Sequence, residues 1–94
     1  MKSLLIAGFA VASLMLGGVA QASADKANAA GCMKCHDVEK KKMGAAFKDI
    51  AAKNKANKDY VDVAVKKLSS GTGHPKSEAS EEDLKAIMGW VMTL

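Results

Sequence analysis

Cys32-Met33-Lys34-Cys35-His36 constrains this chain more than any other stretch. Cys-x-x-Cys-His is the spacing at which haem is attached covalently to protein. Two thiols three positions apart reach the vinyl carbons on one porphyrin edge, and the adjacent imidazole swings under the ring to hold the iron. A chain built this way must fold around a flat macrocycle. Two other uses of the same residues stand beside this one. A redox-active dithiol of the thioredoxin type calls for a surrounding βαβ pattern, and no segment here alternates as a strand does. A zinc site calls for four ligands. Beyond the cysteines, only His36, directly after Cys35, and a lone His74 are of the soft type.

The start of the chain points to export. Met1 and Lys2 form a short basic opening, residues 4–19 are an apolar run broken only by small residues, and Ala20-Gln21-Ala22 and Ala22-Ser23-Ala24 each offer an Ala-x-Ala cleavage site. Residues 1–24 therefore read as a signal peptide cleaved after Ala22 or Ala24. The competing reading is a membrane anchor, but the run sits at the short end of the roughly 17–25 residues a spanning helix needs, and it contains Gly17-Gly18. Export carries both cysteines to the periplasm, where haem attachment to cysteine is done in bacteria.

Residues 25–94 then make one small domain with little apolar material of its own. Domains of this size seldom hold together without a staple, and a macrocycle bonded at two thiols and one imidazole is one. Haem is thereby part of the core. The formal net charge is +4, mildly basic. With no aromatic interleaving and no dense basic stripe beyond Lys40-Lys41-Lys42, it does not argue for nucleic acid. That triplet reads as a solvated loop close to the haem motif, where a partner can approach.

Periodicity gives helices only, and the fold class is all-α. Residues 25–31 are Ala-rich and allow one brief helix running into the cysteines. Residues 38–44 are charged and loop-like. Residues 45–53 predict a helix with Phe47, Ile50 and Ala51 on one side. Asn57 is placed to cap a further helix in which Tyr60, Val61, Ala64, Val65 and Leu68 recur, closed by Ser69-Ser70-Gly71. Gly71-Thr72-Gly73-His74-Pro75 is the turn-rich loop and holds the single proline. Ser80 with Asp83 predicts a capping box, and Leu84, Ile87, Met88 and Val91 follow at i, i+3, i+4 and i+7.

Three segments in this order resemble the small bacterial class I cytochromes c. They are Gly31-Cys32-Met33-Lys34-Cys35-His36, then residues 43–51 (Met-Gly-Ala-Ala-Phe-Lys-Asp-Ile-Ala), then Lys85-Ala86-Ile87-Met88-Gly89-Trp90-Val91. The resemblance implies a fold of three to four helices wrapped around one covalent haem c. Cys32 and Cys35 attach the ring, His36 is the proximal iron ligand, and the first and last helices cross at Gly31 and Trp90. The chain departs from the family pattern in three places. Ala27 stands where the family has an aromatic. Ala45 stands where it has a proline whose carbonyl orients the proximal imidazole, although a backbone carbonyl remains there to accept from His36. The third departure is the sixth ligand, in the family a methionine of a Pro-containing loop, six residues ahead of the serine that caps the last helix. Six residues before Ser80 stands His74.

The methionines are poor substitutes. Met33 lies between the cysteines, Met43 stays on the proximal side, and Met88 and Met92 have the spacing of core fillers in the last helix. His74 is the remaining histidine, and Pro75 biases it to extended backbone; it is the expected sixth ligand. An iron filled on both faces leaves no vacancy for substrate, so the expected function is electron transfer rather than enzymatic catalysis. Histidine in place of methionine implies a comparatively low potential. The expected partners are redox proteins such as a periplasmic dehydrogenase, reductase or oxidase, with no nucleic acid and no stable membrane insertion after processing, and the expected state is a monomer. The rival class is a gas-binding or peroxide-reactive haem protein with an open or labile sixth position. Against it, the 14 basic residues are all lysine and His74 is the sole distal acid–base group.

Overall fold

The computed structural model describes residues 21–94. Within them lie four α-helices, one short 3-10 turn and no strand, as expected for an all-α chain. Helix α1 covers residues 21–29, and the 3-10 turn is Cys32–Lys34. Helices α2, α3 and α4 span Phe47–Asn54, Tyr60–Ser70 and Glu81–Val91. The leader expected over residues 1–24 lies outside the described residues apart from its last four, which belong to α1. None of the described helices is long and apolar enough to cross a membrane.

Helix α4 is the hub because its apolar positions recur every three or four residues and so share one face. Leu84, Ile87, Met88 and Val91 are all buried on it. They join Ala64 and Val65 of α3, Phe47 of α2 and Ala27 of α1 in one cluster. Complete burial of a side chain such as Leu84, Ile87 or Val91 contributes about 1.5–3 kcal/mol. Ala27 is 0% exposed, so at the family's aromatic position a single methyl closes the packing of α1. Lys26 adds an ion pair to Asp83 at 3.3 Å between α1 and α4. Both partners are substantially exposed, which limits that pair to about 1 kcal/mol at most.

The helix ends follow local chemistry. Ser80 caps α4, its hydroxyl accepting from the Asp83 N–H at 3.1 Å, while the Asp83 carboxylate pairs with Lys26. Gly71 ends α3 with φ 77° and donates its N–H to the Lys67 carbonyl. The turn before α3 is set by Asn57, two residues ahead of the cap. Its side-chain oxygen accepts from the Asp59 N–H at 3.1 Å, and Asp59 occupies the cap position. Gly31 has φ 84°, the left-handed conformation that glycine adopts without strain. A Cβ there would meet only Lys34 Cδ, at 3.9 Å, so the turn from α1 into the cysteines, not a close helix crossing, is what requires glycine.

Candidate functional site

The cysteines sit on a tight turn. Lys34 N–H donates to the Gly31 carbonyl and His36 N–H to the Cys32 carbonyl, at 3.1 and 3.0 Å. Both cysteines are half-buried. Burial raises the Cys32 thiol above its ordinary pKa, partly countered by a backbone hydrogen bond.

The loop after His36 folds back on the turn. The Asp37 carboxylate accepts the N–H groups of Glu39 and Lys40 at 2.9 and 3.0 Å. Those two bonds hold its pKa below the usual carboxylate value, with Lys42 and Lys40 adding charge. Lys42 is not a free surface charge, since its ammonium donates to the Met33 carbonyl at 3.0 Å. Gly44 N–H donates to the Cys35 carbonyl at 2.7 Å. The carbonyls of Asp37 and Val38 then accept the first N–H groups of α2, those of Phe47 and Lys48. This explains why α2 starts at Phe47 rather than Ala45. The carbonyl of Ala45 is turned instead to His36, whose Nδ1–H donates to it at 2.7 Å, so the orienting bond survives without proline.

Three groups fix the His36 ring. Ala45 holds Nδ1, Phe47 stacks at 5.1 Å between ring centres, and Gly44 lies against the ring itself. A Cβ at 44 would fall 2.6 Å from Nδ1 and 2.7 Å from Nε2. Gly44 is the functional residue that sequence reasoning missed. Its signal was a glycine after a charged loop, inside the 43–51 segment, which does not say what approaches it. Phe47 also meets Trp90 edge-on at 5.9 Å and 84°, and so connects the histidine to α4.

His74 lies on the loop between Gly73 and Pro75 and is exposed. Its Nδ1–H donates to the Pro75 carbonyl at 2.8 Å. Carbonyl oxygens only accept, so Nδ1 is the donor in each histidine, and in the neutral imidazole the lone pair then lies on Nε2. The two rings are brought together: their centres are 6.1 Å apart and their planes 4° from parallel. Both line an apolar cavity of about 200 Å³, together with Cys32, Phe47, Ile50, Tyr60, Leu68 and Met88. Among the described residues, Lys67 is the one charged side chain of the wall. Part-burial raises the Tyr60 phenol above its ordinary pKa.

The methionines separate by environment. Met88 is buried and reaches the cavity wall, Met33 and Met92 are half-buried, and Met43 is exposed with its sulfur 4.0 Å from that of Cys35.

No family model matches the chain. Individual proteins do. Cytochrome c-552 of Nitrosomonas europaea is 41% identical over 103 residues, covering all of this chain and 99% of that protein. Cytochrome c-552 of Hydrogenobacter thermophilus is 31% identical over 91 residues, covering 89% of this chain and 93% of the other. Among solved structures, the N. europaea cytochrome superposes with a TM-score of 0.64 at 34% identity over 76% of this chain and 98% of its own. The class 1 cytochrome MtoD of Sideroxydans lithotrophicus gives 0.65 at 26% identity over 78% and 92%. With that breadth of likeness, an all-helical frame, the Cys32–Cys35–His36 turn and an apolar cavity lined by Cys32 and His36, the chain belongs to the class I monohaem cytochromes c, electron-transfer proteins that carry one covalently bound haem c.

Proposed function

We propose that this chain is a periplasmic electron carrier whose haem is bonded at Cys32 and Cys35 and whose iron is held by His36 and His74. The observation that supports the ligand pair is the spacing of the two rings, 6.1 Å between centres with planes 4° apart. A metal–imidazole bond of about 2 Å on either side of one ion sets ring centres about 6 Å apart. The proton on each Nδ1 leaves each Nε2 lone pair free to bond iron. Apolar walls fit a macrocycle, and Lys67 supplies a cation for a propionate. When bound, the haem supplies a one-electron couple, and replacing a thioether by a second imidazole lowers its potential.

The same reading makes residues 1–24 a leader removed after Ala22 or Ala24 and residues 25–94 the mature cytochrome domain, a monomer that exchanges electrons with a dehydrogenase, reductase or oxidase. Mass spectrometry of protein exported from a bacterial host checks the first point. An intact amino terminus recovered from membranes overturns it.

Spectra of the ferric protein test the ligand pair. Bis-imidazole, low-spin iron is the expected result, together with a His74→Ala variant that binds carbon monoxide or cyanide readily and a His74→Met variant of higher potential. A thioether–iron charge-transfer band in the wild type, unchanged in His74→Ala, transfers the sixth position to Met88, which shares the cavity wall. High-spin wild-type iron that takes up carbon monoxide quickly makes this a gas-binding protein instead.

A further inference from the structure

Met43 is 90% exposed, against 7% for Met88, and is the most exposed large apolar side chain among the described residues. Thioether oxidation follows access, since the oxidant must reach the sulfur. Both chain neighbours of Met43 are pinned to the cysteine turn, Lys42 through Met33 and Gly44 through Cys35. The backbone between them is therefore held at that turn, and the Met43 sulfur lies 4.0 Å from Cys35 Sγ. High access and proximity to a second sulfur coincide in one residue.

We propose that Met43 is a modification site, a surface thioether that consumes hydroperoxides ahead of the sulfur of Cys35. The thioether sulfur gives an electron pair to one oxygen of hydrogen peroxide, the O–O bond breaks, and that oxygen stays as a sulfoxide. The other oxygen leaves as water with both protons. Sulfur is oxidised by two electrons and the peroxide reduced by two. The sulfoxide is polar and is the rung from which methionine sulfoxide reductases restore the thioether. The proposal is independent of which group fills the sixth iron position.

The test treats the purified, haem-loaded protein with dilute hydrogen peroxide, followed by trypsin and mass spectrometry. Cleavage at lysine isolates residues 43–48, in which Met43 is the sole methionine. Met43 sulfoxide is expected about tenfold faster than Met88 sulfoxide and several-fold faster than those of Met33 and Met92. In Met43→Leu, a change of similar volume at an exposed position, one added oxygen on the Cys35 sulfur is expected at least about twofold faster. Met43 oxidation no faster than that of Met33 or Met92 overturns the proposal. So does an unchanged rate at Cys35 in Met43→Leu, or haem bleaching that precedes any Met43 sulfoxide.

Discussion

The two histidines of this cytochrome are held in opposite ways. His36 has its Nδ1 bonded to Ala45, its ring stacked on Phe47 and its face against Gly44, and the loop around it is tied to the cysteine turn at Met33 and Cys35. His74 sits exposed on a loop, and its Nδ1–H reaches only the carbonyl of the next residue. That loop is fastened behind it, where Ser77 N–H donates to the Leu68 carbonyl at 2.8 Å, and at the Ser80 cap. One side of the site is thus built into the fold, and the other is hung between two anchor points. Damage on the first side should cost stability. Damage on the second should cost less and leave the frame standing.

The harshest break removes the built-in side altogether. Cys32→Ala with Cys35→Ala is expected to leave a largely unfolded chain, because the remaining apolar core does not offset chain entropy. A cooperative thermal transition in that haem-free double variant overturns the expectation. Phe47→Ala removes the side chain that joins His36 to Trp90, and large-to-small changes of this kind cost about 3–5 kcal/mol; denaturant unfolding of the loaded protein measures the loss. Gly44→Ala pushes a methyl into the His36 ring, and overpacking of this sort costs about 1–3 kcal/mol. Its signature is a shifted iron spectrum beside the loss of stability, and an unaltered spectrum refutes a positioning role for Gly44.

On the suspended side the effects shrink. Ser80→Ala deletes the cap behind the His74 loop and is expected to cost about 1 kcal/mol, with the iron spectrum nearly unchanged. A loss as large as that of Gly44→Ala erases the contrast between the two sides. Smallest is the alkaline response of Tyr60, whose phenol burial lifts above the ordinary value of 10.0. The folded state favours the protonated phenol, so this contribution is complete below pH 10.0 and is lost as pH rises through the folded pKa. Unfolding curves on either side of that pH should diverge less for Tyr60→Phe than for the parent.

The contrast also explains what was legible in the chain. Cys32, Cys35 and His36 were readable because covalent attachment demands adjacency in sequence. Helix α4 was readable because Leu84, Ile87, Met88 and Val91 answer to a single period. His74 entered as a candidate through its distance from Ser80 and its likeness to a family position, since its ring meets that of His36 across a separation of 38 in the numbering. What escaped was contact without pattern. Gly44 is needed for a ring that no local spacing announces, and α2 begins two residues late because Ala45 serves the histidine instead of the helix. Asn57 lies two residues before the cap it was expected to form for a related reason, as Asx turns and caps draw on the same residue types.

The edge-on contact between Phe47 and Trp90 has an optical consequence. Trp90 is the single tryptophan of the chain, and one aromatic ring separates it from the histidine beside the haem cavity. With haem bound, excitation of that indole would drain into the porphyrin while the fold is intact, and emission would return when α4 leaves the cavity. The protein thereby carries its own lamp for following loss of structure at the cofactor, with no dye attached.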